Sequence, residues 1–101
     1  MDASVELVKH LRASVVYIRT EVAPGHPSAR ILGDERVGTG TVVGADGLIL
    51  TVNYVVMGGK TIEVTFDRGR SQRAEIVAQD FDVGLAVLKV KRQGLSVAPM
   101  I

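Results

Sequence analysis

Apolar residues recur at helical spacing at the start of the chain and then at alternate positions. Val5, Val8 and Leu11 lie three apart with Leu7 beside them, the stripe of a short amphipathic helix over residues 4 to 12, with Asp2 or Ser4 placed to cap it. The period changes at Ser14-Val15-Val16-Tyr17-Ile18, which reads as a strand. Residues 23 to 35 hold Pro24-Gly25-His26-Pro27 and Gly33-Asp34-Glu35, the turn chemistry of a long surface loop. From Arg36 onward the chain reads as short strands between turns: Val37 to Val43, then Leu48 to Val52 after Ala45-Asp46-Gly47. Thr61-Ile62-Glu63-Val64-Thr65-Phe66 alternates apolar and polar, the mark of a strand with one buried face. Asp67-Arg68-Gly69-Arg70 is a hairpin turn, Gln72 to Ala78 the returning strand, and Leu85 to Val90 a nearly all-apolar one. Six strands at this spacing predict one all-β domain over residues 1–101, a closed barrel or sandwich preceded by a helix within 1–12.

Composition sharpens that picture and removes several function classes. Of 101 residues, 17 are Val, 6 Ile and 8 Leu, against two Phe, two Tyr and no Trp. This aliphatic, β-branched surplus favours strands and excludes disorder. Twelve basic and eleven acidic residues leave a net charge of +1. With so few aromatics, that balance argues against nucleic-acid binding, which needs a basic face and stacking platforms. There is no cysteine, which rules out disulfides, thiolate metal sites and a Cys nucleophile, while the compartment stays open. The most apolar run, Leu48 to Met57, is half a membrane span and contains Thr51 and Asn53, so no span is expected.

Residues that invite a chemical reading mostly have a plainer one. Gly38-Thr39-Gly40 with Gly44 lies in a strand-turn-strand pattern and lacks the helix and Lys-Ser/Thr of a phosphate loop. Close backbone approach is the better account of those glycines. Asp80 and Asp82 form a D-x-D pair without further nearby oxygen ligands, so no metal is expected. His10 and His26 have no local partner and read as surface residues, and Arg68, Arg70 and Arg73 are offset by Asp67 and Glu75. Gly94-Leu95-Ser96-Val97-Ala98 misses the G-x-S-x-G nucleophile elbow at its last position.

One long stretch carries a resemblance. Gly38-Thr39-Gly40-Thr41-Val42-Val43-Gly44-Ala45-Asp46-Gly47-Leu48-Ile49-Leu50-Thr51-Val52-Asn53-Tyr54-Val55-Val56 resembles the first catalytic segment of trypsin-like serine proteases of the HtrA/Deg type. In that family a G-S/T-G strand leads through a D-G turn into I-L-T-N-x-H-V-V. The similarity continues through Ile62 to Phe66 and Ala74 to Val77, and closes on Asp80 and Leu85-Ala86-Val87-Leu88-Lys89-Val90. It implies a six-stranded antiparallel chymotrypsin-fold barrel over residues 13–99, a single lobe behind the short helix. It is also compatible with an envelope or periplasmic setting.

The family's mechanism uses His, Asp and Ser in chain order, the first two from this barrel and Ser from a second one. By this resemblance the slot of the general-base His holds Tyr54, and the slot of the orienting Asp, just before Leu85-Ala86, holds Gly84. A phenol keeps its proton at neutral pH and does not take one from serine as imidazole does, and glycine has no side chain to orient a base. Asp82, two residues earlier, is the nearby carboxylate on the expected strand face, but without a His it has nothing to orient. The resemblance therefore implies an inactive lobe with no catalytic residues, cofactor or metal, kept for binding, assembly or regulation. The alternative is the N-terminal part of a working endopeptidase whose nucleophile lobe lies downstream or on another chain. Expected partners are a second trypsin-like lobe or a second copy, the latter exchanging Leu95 to Ile101 or the helix, and a peptide or protein ligand.

Overall fold

The computed structural model describes residues 3–22, 25, 34–66 and 69–91, without the side chains of residues 3, 4, 6, 9 and 10. Helix α1 spans Ala3–Ser14, followed by strands β1 (Val15–Val22), β2 (Glu35–Gly44) and β3 (Leu48–Val52). A one-turn helix α2 (Asn53–Val56) precedes β4 (Gly59–Thr65), β5 (Ser71–Arg73), β6 (Glu75–Asp80) and β7 (Leu85–Lys89). Helix α1 runs two residues beyond the expected Arg12, to Ser14, whose hydroxyl donates to Leu11 O at 2.8 Å. The expected caps Asp2 and Ser4, the loop residues His26 and Pro27, and Leu95 to Ile101 lie outside the described residues or side chains.

Strand β1 continues four residues past the expected Ile18, because its alternation continues. Val16, Ile18, Thr20 and Val22 point inward while Tyr17 and Glu21 are exposed. Antiparallel pairing with β2 sets Tyr17 opposite Thr39 and Glu21 opposite Glu35, which also pulls residue 35 out of the expected loop into a strand. The sheet order is β5-β4-β1-β2-β3-β7-β6. Only Ala74 separates β5 from β6, and its N–H donates to Ile62 O at 2.9 Å. The two segments are thus one bent strand, paired with β4 at one end and β7 at the other. The sheet order thus begins and ends on that bent strand, and the seven segments curl into an antiparallel half-barrel; with the bent strand counted once they are the six strands that the resemblance implied.

The core is aliphatic. Ile18, Ile49 and Leu88 are fully buried, joined by Val42, Val64, Val90 and Phe66. Each large side chain removed from water contributes roughly 1.5–3 kcal/mol. Helix α2 adds Val55 and Val56, 1% and 0% exposed, so its inner half is core. The paired glycines of β2 make room for this packing. A Cβ at Gly38 would lie 2.7 Å from Val55 Cγ2, and one at Gly40 would lie 2.8 Å from both Ile18 Cδ1 and Ile49 Cγ2. Close approach, not a phosphate, accounts for Gly38-Thr39-Gly40.

Candidate functional site at the residue-54 turn

Where β3 ends, the chain turns once through α2 before entering β4. Val-rich Asn53-Tyr54-Val55-Val56 has no strong helical preference of its own, and a single turn is costly to nucleate. Its shape comes from what surrounds it. Met57 N–H closes the turn on Asn53 O at 2.9 Å, and Asn53 N–H donates to Gly84 O at 2.7 Å. Asn53 is itself buried, and its Oδ1 accepts from Gln79 Nε2 at 2.6 Å. From the other side Arg36 Nη1 donates to Tyr54 O at 2.7 Å and Met57 O at 2.8 Å. The Arg36 residue is only 5% exposed.

These contacts bring Tyr54 and Gly84, thirty residues apart, to one place. The carbonyl of Gly84 bonds the amide immediately preceding Tyr54. Tyr54 is 54% exposed. Gly84 sits at φ +74° with nothing within 4 Å of where a Cβ would stand, a backbone shape that costs other residues strain. Asp82 is not on a strand face, as its parity with Gly84 suggested. It lies exposed in the turn between β6 and β7, and its N–H donates to Asp80 Oδ1 at 3.0 Å. Val83 N–H donates to the same oxygen at 3.3 Å, so Asp80 is the residue that folds this turn.

Around Tyr54 the surface is apolar. Val52 stands directly opposite Leu85 in the β3–β7 ladder, and both are exposed. Phe81 and Val83, in the turn that delivers Gly84, are 68% and 65% exposed. Exposed apolar residues thus cluster on the segments that carry Tyr54 and Gly84, the β6–β7 turn also holding Asp80 and Asp82. A hollow of about 540 Å³ between Arg73, Glu75, Lys89 and Lys91 lies at the opposite end of β7. A separate ionic cluster occupies the β1–β2–β4 face. There Arg19 lies 3.0 Å from Glu35, 3.1 Å from Glu21 and 3.9 Å from Glu63. The hydrogen bond and charge of Glu35, then those of Glu21, hold the Arg19 guanidinium above its ordinary range. Among the described residues, no group of three or more His, Asp or Glu side chains could hold a metal ion.

The framework around the turn can be compared with known proteins. A family model described as a trypsin-like peptidase domain matches residues 38–101. The chain belongs to this trypsin-like peptidase family. The "Probable periplasmic serine endoprotease DegP-like" of Halomonas elongata is 38% identical over 74 residues, covering 71% of this chain and 16% of that protein. The "Serine endoprotease DegS" of Haemophilus influenzae is 33% identical over 63 residues, 62% of this chain and 18% of its own length. The solved serine endoprotease from Yersinia pestis superposes with a TM-score of 0.79 at 25% identity, over all of this chain and 34% of that one. This trypsin-like chain therefore spans less than a fifth of those two sequence relatives and is a fragment of an HtrA-type protease domain.

Arg36, Asn53 and Gln79 were not singled out from sequence. For Arg36 there was a signal: in an alternating strand it shares the face of Gly40 and Val42, both buried. For Gln79, itself exposed on a strand where only Ile76 is half-buried, there was none.

Proposed function

We propose that this chain is a catalytically inactive HtrA-type lobe, whose residue-54 face serves binding, assembly or regulation. One observation carries the reading. The turn that corresponds to the family's general-base position is built and braced, yet the side chain it exposes is Tyr54, and its neighbour across the Asn53–Gly84 hydrogen bond has no side chain. A base needs a proton-accepting group within hydrogen-bond reach and a partner to orient it, and neither position supplies one. The ring instead offers an amphipathic surface, apolar over its body and polar at its hydroxyl.

Assembly is the second part of this proposal. Val5, Leu7 and Val8 of α1 are exposed, as are Val52, Phe81, Val83 and Leu85 around Tyr54. Apolar faces of this kind mark contact with another lobe, a second copy or a peptide. Light scattering at high concentration tests self-association, and a strict monomer counts against it. No helix among the described residues is long and apolar enough to cross a membrane.

The test of inactivity uses the full-length protein, with casein hydrolysis and labelling by a serine-directed covalent probe. Neither is expected. Labelling that tracks hydrolysis would overturn the proposal. A second reading is supported by the small share of its relatives that the chain spans: the N-terminal part of an endopeptidase whose nucleophile lies downstream or on another chain. A G-N/D-S-G-G segment in the reading frame beyond Ile101, with casein hydrolysis, would favour it. The same segment without hydrolysis would favour an inactive descendant.

A further inference from the structure

A one-turn helix does not persist on its own backbone bonds. The bonds that reach α2 from outside come from Arg36 on β2, Gln79 on β6 and Gly84 before β7. Arg36 is the costly one, because a guanidinium removed from water is retained only if its donors find acceptors in good geometry. The carbonyls it takes, those of Tyr54 and Met57, belong to the end of the turn, where helical carbonyls lose their internal partners. Val55 and Val56 are locked in the core beneath, and Val55 packs where Gly38 leaves space for it. Of the four residues of α2, only Tyr54 is exposed. A buried charge and two buried valines thus fix the backbone from which one exposed phenol projects.

We infer that Arg36 is the positioning residue of this site, clamping the residue-54 turn so that Tyr54 is presented to a partner from one backbone geometry. The purpose of the clamp rests on the recognition role proposed above, whereas its existence is tested separately. The Tyr17→Phe protein leaves Tyr54 as the only Tyr, with no Trp to interfere. In that background Arg36→Met removes the charge while keeping an apolar stem, and Arg36→Lys restores a cationic donor. Two quantities are read: amide exchange at Met57 relative to Ile18 in β1, and the fluorescence anisotropy of Tyr54.

Arg36→Met is expected to speed exchange at Met57 by about tenfold or more, as loss of charge-assisted hydrogen bonds implies. Exchange at Ile18 stays unchanged, Tyr54 anisotropy falls, and Arg36→Lys recovers most of both signals. Unchanged protection at Met57, or protection lost equally at Met57 and Ile18, overturns the inference. If Arg36→Met does not fold, the unsubstituted protein answers under increasing denaturant. The clamp requires Met57 to exchange only with global unfolding, and exchange through an earlier local opening refutes it. Failure of the recognition role looks different: the full-length protein is labelled by the serine probe while Met57 remains protected.

Discussion

The two halves of the residue-54 turn have opposite fates. Val55 and Val56 face inward at 1% and 0% exposure, while Tyr54, like Phe81 and Val83 of the β6–β7 turn, is more than half exposed. The inner half fills the space that Gly38 leaves and shares one core with Ile18 of β1, Val42 of β2 and Ile49 of β3, so a change there is felt across the packing. The outer half contributes little to packing, so residues 54 and 84 can change their chemistry with small consequences for the fold. The architecture of this lobe is thus set by its inner positions, whichever side chains its outer ones carry.

Mutations can break that contrast, and the largest effect is expected deepest in the barrel. Ile49→Ala empties a fully buried site and should cost about 3–4 kcal/mol, lowering the melting temperature by roughly 15 °C or more. Circular dichroism during heating checks it, and a drop under about 5 °C would mean that the core is looser than its burial indicates. Gly38→Ala comes next, at about 1–3 kcal/mol, because the new methyl meets Val55 at 2.7 Å. Val55→Ala in the same chain should recover part of that loss, and a double-mutant cycle would show coupling on the order of 1 kcal/mol.

On the outer half the effects shrink. Gly84→Asp meets no neighbour, and its cost is only that of holding a carboxylate residue at φ +74°, about 1 kcal/mol by chemical denaturation. A much larger loss would show that the space above Gly84 is needed for something else. Tyr54→Ala should leave the stability of the monomer within about 0.5 kcal/mol, since the ring is half in solvent. Its consequence belongs to association, read as a shift of the light-scattering profile toward smaller species.

The same contrast explains what could be read from the sequence. The alternation in Thr61 to Phe66 announced its inner face, because a strand repeats every two residues whatever surrounds it, whereas the first strand was read only as far as Ile18 of the Val15–Val22 that it spans. A spaced motif singles out Tyr54 and Gly84, and the Asn53–Gly84 hydrogen bond brings those two positions together. Helix α2 was not legible, since Asn53 to Val56 continues an apolar run and owes its turn to distant partners on β2, β6 and β7. Asp82 was misjudged for a related reason. Parity predicts a face only while the strand continues, and the side chain of Asp80 folds the chain into a turn first.

The single residue Ala74, where one bent strand passes from β4 to β7, also governs how this lobe can meet other chains. Because the strand pairs with one neighbour along Ser71–Arg73 and the other along Glu75–Asp80, its two outer flanks are the exposed strand edges beside that seam. The longer flank is irregular at Ile76/Ala78 and begins and ends on Glu75 and Asp80. Irregularity and charge discourage another chain from adding itself as an extra strand. These flanks therefore offer a neighbouring chain side chains rather than backbone pairing, and side chains can be changed one at a time.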